Sequence, residues 1–589
     1  MKKPGKRNEL SYIRLPYSSY LRQNIFMKSI APLLLLLISF VFNTAKADEI
    51  SELVSQFQAD KYALMRKYNV RESAEYYQRF SQFYTDWSNV IKKVPFTQLS
   101  QEGKVDYVLL KNQIEKELYF LKIKQKEFEE VAFVTDFAAP LYSFIKERRR
   151  GEKVNSPVLA KTFDDAFRST QAAKEKISKT TPFSSWQKAD KAAAVVKSLR
   201  ENLKESYEFY KGYDPSFTWW IEKPYDTLAA TLKVYEDFLV KHYVNTSVKD
   251  DGSGIIGNPI GRDALIKSLQ TEFIVYSPEE IIAIAQKQFA WCDAEMLKAS
   301  QAMGFGNNWK AAMEKVKNTY VAPGDQPALI DSLAEEAIRF LEEKNLITVP
   351  TLAKETWRMT MMSPEAQKVN PFFLGGEEII VSYPTNTMEH REKMMSMRGN
   401  NPHFSRATVQ HELIPGHHLQ QFMTERYRPY RWSFETPFWV EGWALYWEFN
   451  LWDHSFPRSP EDRIGMLFWR MHRCARIIFS LNYHLGKMTP QQCIDFLVER
   501  VGHERANAEA EVRRSFTGGY GPLYQIAYMV GGFQFYNLKK ELVASGKLTE
   551  KEFHDKILHE GSIPVDMVRA ILTNQTLSED YKPSWRFAD

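Results

Sequence analysis

The sequence predicts a mainly α fold, and three observations carry that prediction. Stretches such as SELVSQFQADKYALMRKY (51–68) and QEGKVDYVLLKNQIEKELYFLKIKQKEFEEV (101–131) repeat apolar residues every three or four positions, with charged residues between. That is the period of an amphipathic helix. Prolines are sparse and fall between these runs. Good strand candidates are few, and the best is EEIIVSYP (Glu377–Pro384), so the expected β structure is one small sheet.

The elements follow in chain order. Residues 1–47 read as a targeting segment. The apolar run IAPLLLLLISFVF (Ile30–Phe42) follows Arg22 and Lys28, and Ala45-Lys46-Ala47 is a small-x-small cleavage pattern with Asp48 as the mature start. The run is shorter than the roughly 20 residues of a membrane span. A cleaved export signal, a periplasmic mature chain and no lasting membrane span are therefore expected, with Met27 as an alternative initiator. Residues 48–248 read as an N-terminal helical region. KDDGSGIIGNPIGR (Lys249–Arg262) is rich in turn formers and is either a linker or a long loop beside the functional site. Residues 249–589 form a second helical region, continuous with the first. It includes SPEEIIAIAQ, where Ser277 can cap, Pro278 suits the first helical position and Glu279 and Glu280 complement the helix dipole. EEIIVSYP is either an edge that pairs with extended substrate or a short structural strand.

Composition excludes several classes. With 78 basic and 73 acidic residues the net charge is +5 over 589 residues, too balanced for nucleic-acid binding. The basic run KERRRGEK (Lys146–Lys153) reads as a solvated loop or helix end. Cys292, Cys474 and Cys493 are too dispersed for a thiolate metal site or a disulfide framework. Aromatic residues, at 14%, fit a large core in which some rings line a groove.

The chemistry-bearing stretch is ATVQHELIPGHHLQQF (Ala407–Phe422). A zinc-protease helix of the H-E-x-x-H type would place a second histidine at 415, but Pro415 stands there, followed by Gly416, His417 and His418. His411 and Glu412 point about 100° apart on a helix, so one can ligate a metal while the other reaches a water. On an unbroken helix His418 would lie about 10.5 Å from His411, too far to share an ion. Pro415 and Gly416 should kink the chain and return a later histidine towards His411, with His417 favoured because it follows the break directly and His418 as its alternative. A third ligand is available in FWVEGWALYWE (Phe438–Glu448), where Glu441 lies thirty residues after His411. Glu448, seven residues further on, shares its face and falls in a supporting position.

HELIPGHHLQ together with EGWALYWE resembles the pattern of the bacterial family called domain of unknown function 885. The likeness extends to GRDALIKSLQTEFIVYSPEEI, RCARIIFSLNYHLGKMTPQQCIDFL, EVRRSF and PLYQIAYMVGG. The resemblance implies a helical, gluzincin-like metallopeptidase fold with a deep central groove, similar to thermostable carboxypeptidases. It implies one Zn²⁺ per chain on His411, His417 and Glu441, with Glu412 as base and peptides as substrates. Tyr528 is the expected oxyanion donor. His484 and Arg514 are expected substrate-binding residues, with Arg473 and Arg476 as further candidates for a substrate carboxylate. The expected activity is carboxypeptidase- or dipeptidase-like. The competing readings are an inactive peptide-binding protein and a metal-dependent hydrolase of non-peptide amides or esters.

Overall fold

The amphipathic runs of the N-terminal region become α1 (50–67), α2 (Ala74–Ile91), α3 (Gln101–Glu129), α4 (Ser156–Ser178), α5 (Trp186–Tyr210) and α6 (Pro215–Leu239). This computed structural model describes residues 50–367, 370 and 372–588, and the expected export signal at 1–47 lies outside them. Short polar side chains start these helices. Ser73, Ser100, Asn155, Ser185 and Asp214 each accept a backbone N–H three residues on, satisfying a donor that the first helical turn leaves free. One proline departs from the expected pattern: Pro224 sits inside α6. KERRRGEK closes the helix Ala139–Arg148, with Arg148 paired to Glu205 and Arg149 to Glu75.

The second region contributes α7 (Pro278–Ala302), α8 (Gln326–Glu343), β1 (Arg358–Met361), β2 (Glu378–Val381), α9 (Pro402–Glu412) and α10 (His417–Thr424). It continues with α11 (Pro437–Asp453), α12 (Pro460–His484), α13 (Arg505–Thr517) and α14 (Tyr524–Leu542). Ser277 caps α7, as the sequence predicts, and the Glu280 side chain accepts the Ser277 N–H in return. The strands pair in parallel, Arg358 against Glu378 through Met361 against Val381. Lys249–Arg262 is a mostly exposed loop held by hydrogen bonds. Asp250 accepts from Gly252 and Gly254, and the Gly261 N–H donates to the His484 carbonyl. All three cysteines are buried and unpaired. Among the described residues no helix is long and apolar enough to cross a membrane.

Three clusters of buried side chains hold these elements. The largest joins Phe80, Leu203 and Leu228 of the first region to Trp439, Trp443 and Phe535 of the second, so one core spans position 248. A second surrounds α7 and α12, and a small third packs Ile379 and Val381 of β2 on Val409 and Leu413. That third cluster sets the sheet beside the His411 helix. α11 is buried along nearly its whole length and carries the fully buried Trp439, Trp443 and Trp447. It lies unusually close to α14, because Gly442 faces Gly531. A Cβ on Gly531 would lie 1.9 Å from the Phe438 carbonyl oxygen.

The two regions are also joined by charge. Arg431 is fully buried; its Nε donates to Asp106 of α3 at 2.7 Å and its Nη1 to Glu560 at 2.7 Å. Burial alone would lower its pKa, but the two carboxylates outweigh it and raise it. Removing one member of such a group strands the others without a counter-charge. Arg431→Ala should therefore destabilise the fold by about 3–5 kcal/mol, read as a lower urea midpoint. An unchanged midpoint would show that the two regions do not rely on this contact.

Candidate metal centre

α9 ends where its own sequence forbids continuation, since Pro415 has no N–H for the helix ladder. Leu413 leaves helical geometry at φ −108°, ψ −108°, and α10 begins at His417. Across the break the Gly416 N–H donates to the Gln410 carbonyl at 3.0 Å, six residues back. A Cβ on Gly416 would lie 1.8 Å from the His411 carbonyl oxygen, so this wide turn requires glycine. It brings the His411 and His417 rings edge to face, with centroids 4.9 Å apart. The Trp443 indole N–H donates to the Pro415 carbonyl at 2.9 Å and fastens the break to α11. His418 turns away, its Nε2 2.9 Å from the Ala353 carbonyl. Of the two neighbouring histidines, His417 is the one that faces His411.

Glu441 completes the group from α11. Its Oε2 lies 3.2 Å from His417 Nε2 and 3.7 Å from His411 Nε2, and the three atoms all fall within 4.8 Å of one another. Ligands on a tetrahedral zinc, with bonds of about 2.0–2.1 Å, stand about 3.3 Å apart. The set therefore fits zinc, and a second observation agrees: Glu441 Oε2 is buried and makes no hydrogen bond. The far sides of the ligands are occupied. His411 Nδ1 lies 2.8 Å from Glu448 Oε1, the Gln420 amide lies 2.8 Å from His417 Nδ1, and the Tyr524 hydroxyl donates to Glu441 Oε1. Outer partners of this kind orient metal ligands.

The electrostatics favour a cation here. Burial opposes charge on His411, yet Glu441 and Glu448 outweigh it and raise its pKa to about 9. Burial also pushes Glu441 up, but His417 and His411 hold it well below the usual carboxylate range. Glu412 differs. Burial raises its pKa with the two histidines opposing, the direction that suits a proton acceptor, and its Oε2 lies 3.9 Å from His417 Nε2. Gly375 presses on it, since a Cβ there would lie 2.3 Å from Glu412 Oε2.

These groups line a cavity of about 330 Å³ together with Phe372, Phe373, Trp469, Arg473, Arg476, Arg514, Tyr520, Tyr524 and Tyr528. The Tyr528 ring lies parallel to His411 at 6.2 Å, and its hydroxyl is 3.5 Å from that of Tyr524. Burial and the Glu441 charge push its pKa up to about 12, so it remains a donor. Tyr524 is a contact that the sequence reading misses, although its four-residue spacing from Tyr528 puts both on one helix face. Arg514 lines the cavity as expected. His484 does not: it ends α12, eleven residues beyond Arg473 or about 16 Å along the helix, and its ring packs on Tyr483 and Phe516. Burial lowers its pKa to about 4.

Of the two readings of EEIIVSYP, β2 fits the short structural strand. Ile380 exchanges both backbone bonds with Leu374, at 3.1 and 2.8 Å, while β1 covers the other side of β2. The segment Phe372–Gly375 lines the cavity beside Ile380 of β2. Gly375-Gly376 between two apolar runs is a turn signal that would have located this fold-back.

Residues 65–572 match the family described as bacterial protein of unknown function (DUF885), and the chain belongs to it. None of the curated proteins matches the chain. Two solved structures share the fold. One, from Shewanella oneidensis, is described as a candidate lipoprotein of unknown function. It has a TM-score of 0.67 at 16% identity, over 89% of this chain and 99% of its own. The other, from Colwellia psychrerythraea and likewise described as a candidate lipoprotein, has a TM-score of 0.56 at 15% identity. It covers 90% of this chain and 99% of its own.

The geometry makes a selective prediction. Zinc measured in the purified protein should depend on His411, His417 and Glu441, each lost on substitution by alanine, and should survive His418→Ala. Equal zinc in all four variants would dismantle the ligand set.

Proposed function

We propose that this protein is an exported, zinc-dependent hydrolase of peptide bonds with carboxypeptidase- or dipeptidase-like action. The observation that carries the reading is the convergence of His411, His417 and Glu441 beside a buried glutamate, Glu412, at a small aromatic cavity. The His-Glu helix, its break and the downstream glutamate on α11 resemble a gluzincin-type arrangement. Export is supported by the apolar run Ile30–Phe42 with its Ala45-Lys46-Ala47 pattern, and by the lipoprotein descriptions of both structural relatives.

A zinc ion held by these side chains would polarise the scissile carbonyl and acidify a neighbouring water. Glu412, whose Oε2 lies 3.9 Å from His417 Nε2, takes the proton from that water and passes it to the departing amine. Tyr528 donates to the oxyanion as charge develops there. Its long contact to the Tyr524 hydroxyl is weak enough to exchange for that partner. Tyr524 and Glu448 are positioning residues, one holding Glu441 and the other His411. Phe372 and Phe373 narrow the cavity and limit water around the reacting bond.

The test is cleavage of a mixed peptide library, read by mass spectrometry, beside a panel of simple esters. Glu412→Gln should keep its zinc and lose at least about a hundredfold in turnover. Full activity in that variant refutes the base assignment, and cleavage confined to esters refutes the peptide-bond reading. Tyr528→Phe should keep zinc and substrate affinity while kcat falls about a hundredfold. An unchanged kcat would remove Tyr528 from the mechanism.

A further inference from the structure

Three arginines line the same cavity as the metal-ligand set, and their partners are unequal. Arg473 and Arg476 come from α12 and Arg514 from α13, and they are 4%, 3% and 9% exposed. A guanidinium stays charged at physiological pH and offers five donors, so burying one requires partners. Arg476 has one: its Nε donates to the fully buried Glu511 at 2.7 Å. Arg473 reaches only Glu448 Oε1, at 3.5 Å, an oxygen that His411 already engages at 2.8 Å. Arg514 reaches Glu511 and Asn370, each at 3.5 Å. The Nε of both Arg473 and Arg514 is buried and makes no hydrogen bond. Their planes rest near aromatic rings, Arg473 4.6 Å from Tyr528 and Arg514 5.1 Å from Tyr520. Glu412 and Glu441 are committed to the histidine side of the cavity. Glu511, which also lies 3.9 Å from His472 Nε2, is the carboxylate that both Arg476 and Arg514 approach.

We propose that Arg473 and Arg514 take a free carboxylate of the substrate, so that the site removes one or two residues from the end of a short peptide and does not cut within a longer chain. This rests on the hydrolase reading above. A carboxylate has the two oxygens that a guanidinium fork matches, and its charge balances the arginine side. The distances suit it. The Tyr528 ring is 6.2 Å from the His411 ring and 4.6 Å from the Arg473 guanidinium. An extended residue covers about 3.3–3.6 Å, so a carboxylate at the arginines sets an amide one or two residues away beside His411 and Glu412. The cavity, at about 330 Å³, is near the small end of ligand sites, about 300–1,000 Å³. Arg476, held by Glu511, keeps the wall in place.

Two measurements test this. In the first, N-acetylglycine, N-acetylglycinamide and inorganic phosphate are titrated calorimetrically into the full chain stripped of metal. N-acetylglycine should bind, its amide should bind at least about thirtyfold more weakly, and Arg473→Gln or Arg514→Gln should weaken the acid to a similar degree. Equal binding of acid and amide overturns the carboxylate subsite, and tighter binding of phosphate overturns carboxylate as its ligand. In the second, the zinc-loaded wild-type protein is offered a peptide with a free or an amidated C-terminus, a comparison independent of variant folding. The free acid should be cut with at least about thirtyfold higher kcat/KM. Equal rates overturn the subsite while leaving the hydrolase intact. No hydrolysis of either peptide, with selective N-acetylglycine binding retained, overturns the hydrolase and leaves the subsite.

Discussion

No side chain can stand at position 416. The chain there passes so close to the His411 carbonyl that a Cβ would overlap it at 1.8 Å. Everything at the centre of the molecule depends on that passage. A helix continued through 413–416 would carry His417 and His418 away from His411, at about 1.5 Å per residue. The wide turn folds that length back and spends it sideways. Its Gly416 N–H finds the Gln410 carbonyl, and the Pro415 carbonyl finds the Trp443 indole, so the polar groups freed by the break are satisfied within the core.

A second close approach, between Gly442 and Gly531, brings the other half of the centre into range. Helices normally stand 8–10 Å apart, according to the side chains between them, and two facing glycines let α11 and α14 come nearer. Glu441 and Glu448 ride on one of these helices and Tyr524 and Tyr528 on the other. The short Tyr524–Glu441 contact is a direct result. The close approach of α11 and α14 brings Glu441, Tyr524 and Tyr528 to the cavity wall, with Glu448 behind His411.

Packing and polarity are separated in this fold. Tryptophans of α11 and apolar residues from both regions supply the non-directional part of stability, in a core that crosses position 248. Buried polar atoms without partners occur in several parts of the molecule, and four of them belong to residues that line the cavity: Glu441 Oε2, Arg473 Nε, Arg476 Nη1 and Arg514 Nε. Natural proteins satisfy buried polar groups almost everywhere.

The sequence by itself determined what depends on neighbours along the chain. Apolar period predicts the long helices, Ser277 and Glu280 announce the start of α7, and Pro415-Gly416 announces the break after Glu412. Residue types narrow the candidate ligands to His411, one of two histidines, and Glu441. Tertiary structure decided what depends on contacts across the chain. It turned His417 inward and His418 towards Ala353, because the direction of the turn is set by packing against α11 and not by the two residues themselves. It covered β2 with Leu374, and it carried His484 away from the cavity along a straight helix. It also separated Arg476 from Arg473 and Arg514 through Glu511, a carboxylate 35 residues from Arg476 whose partner no local spacing could name.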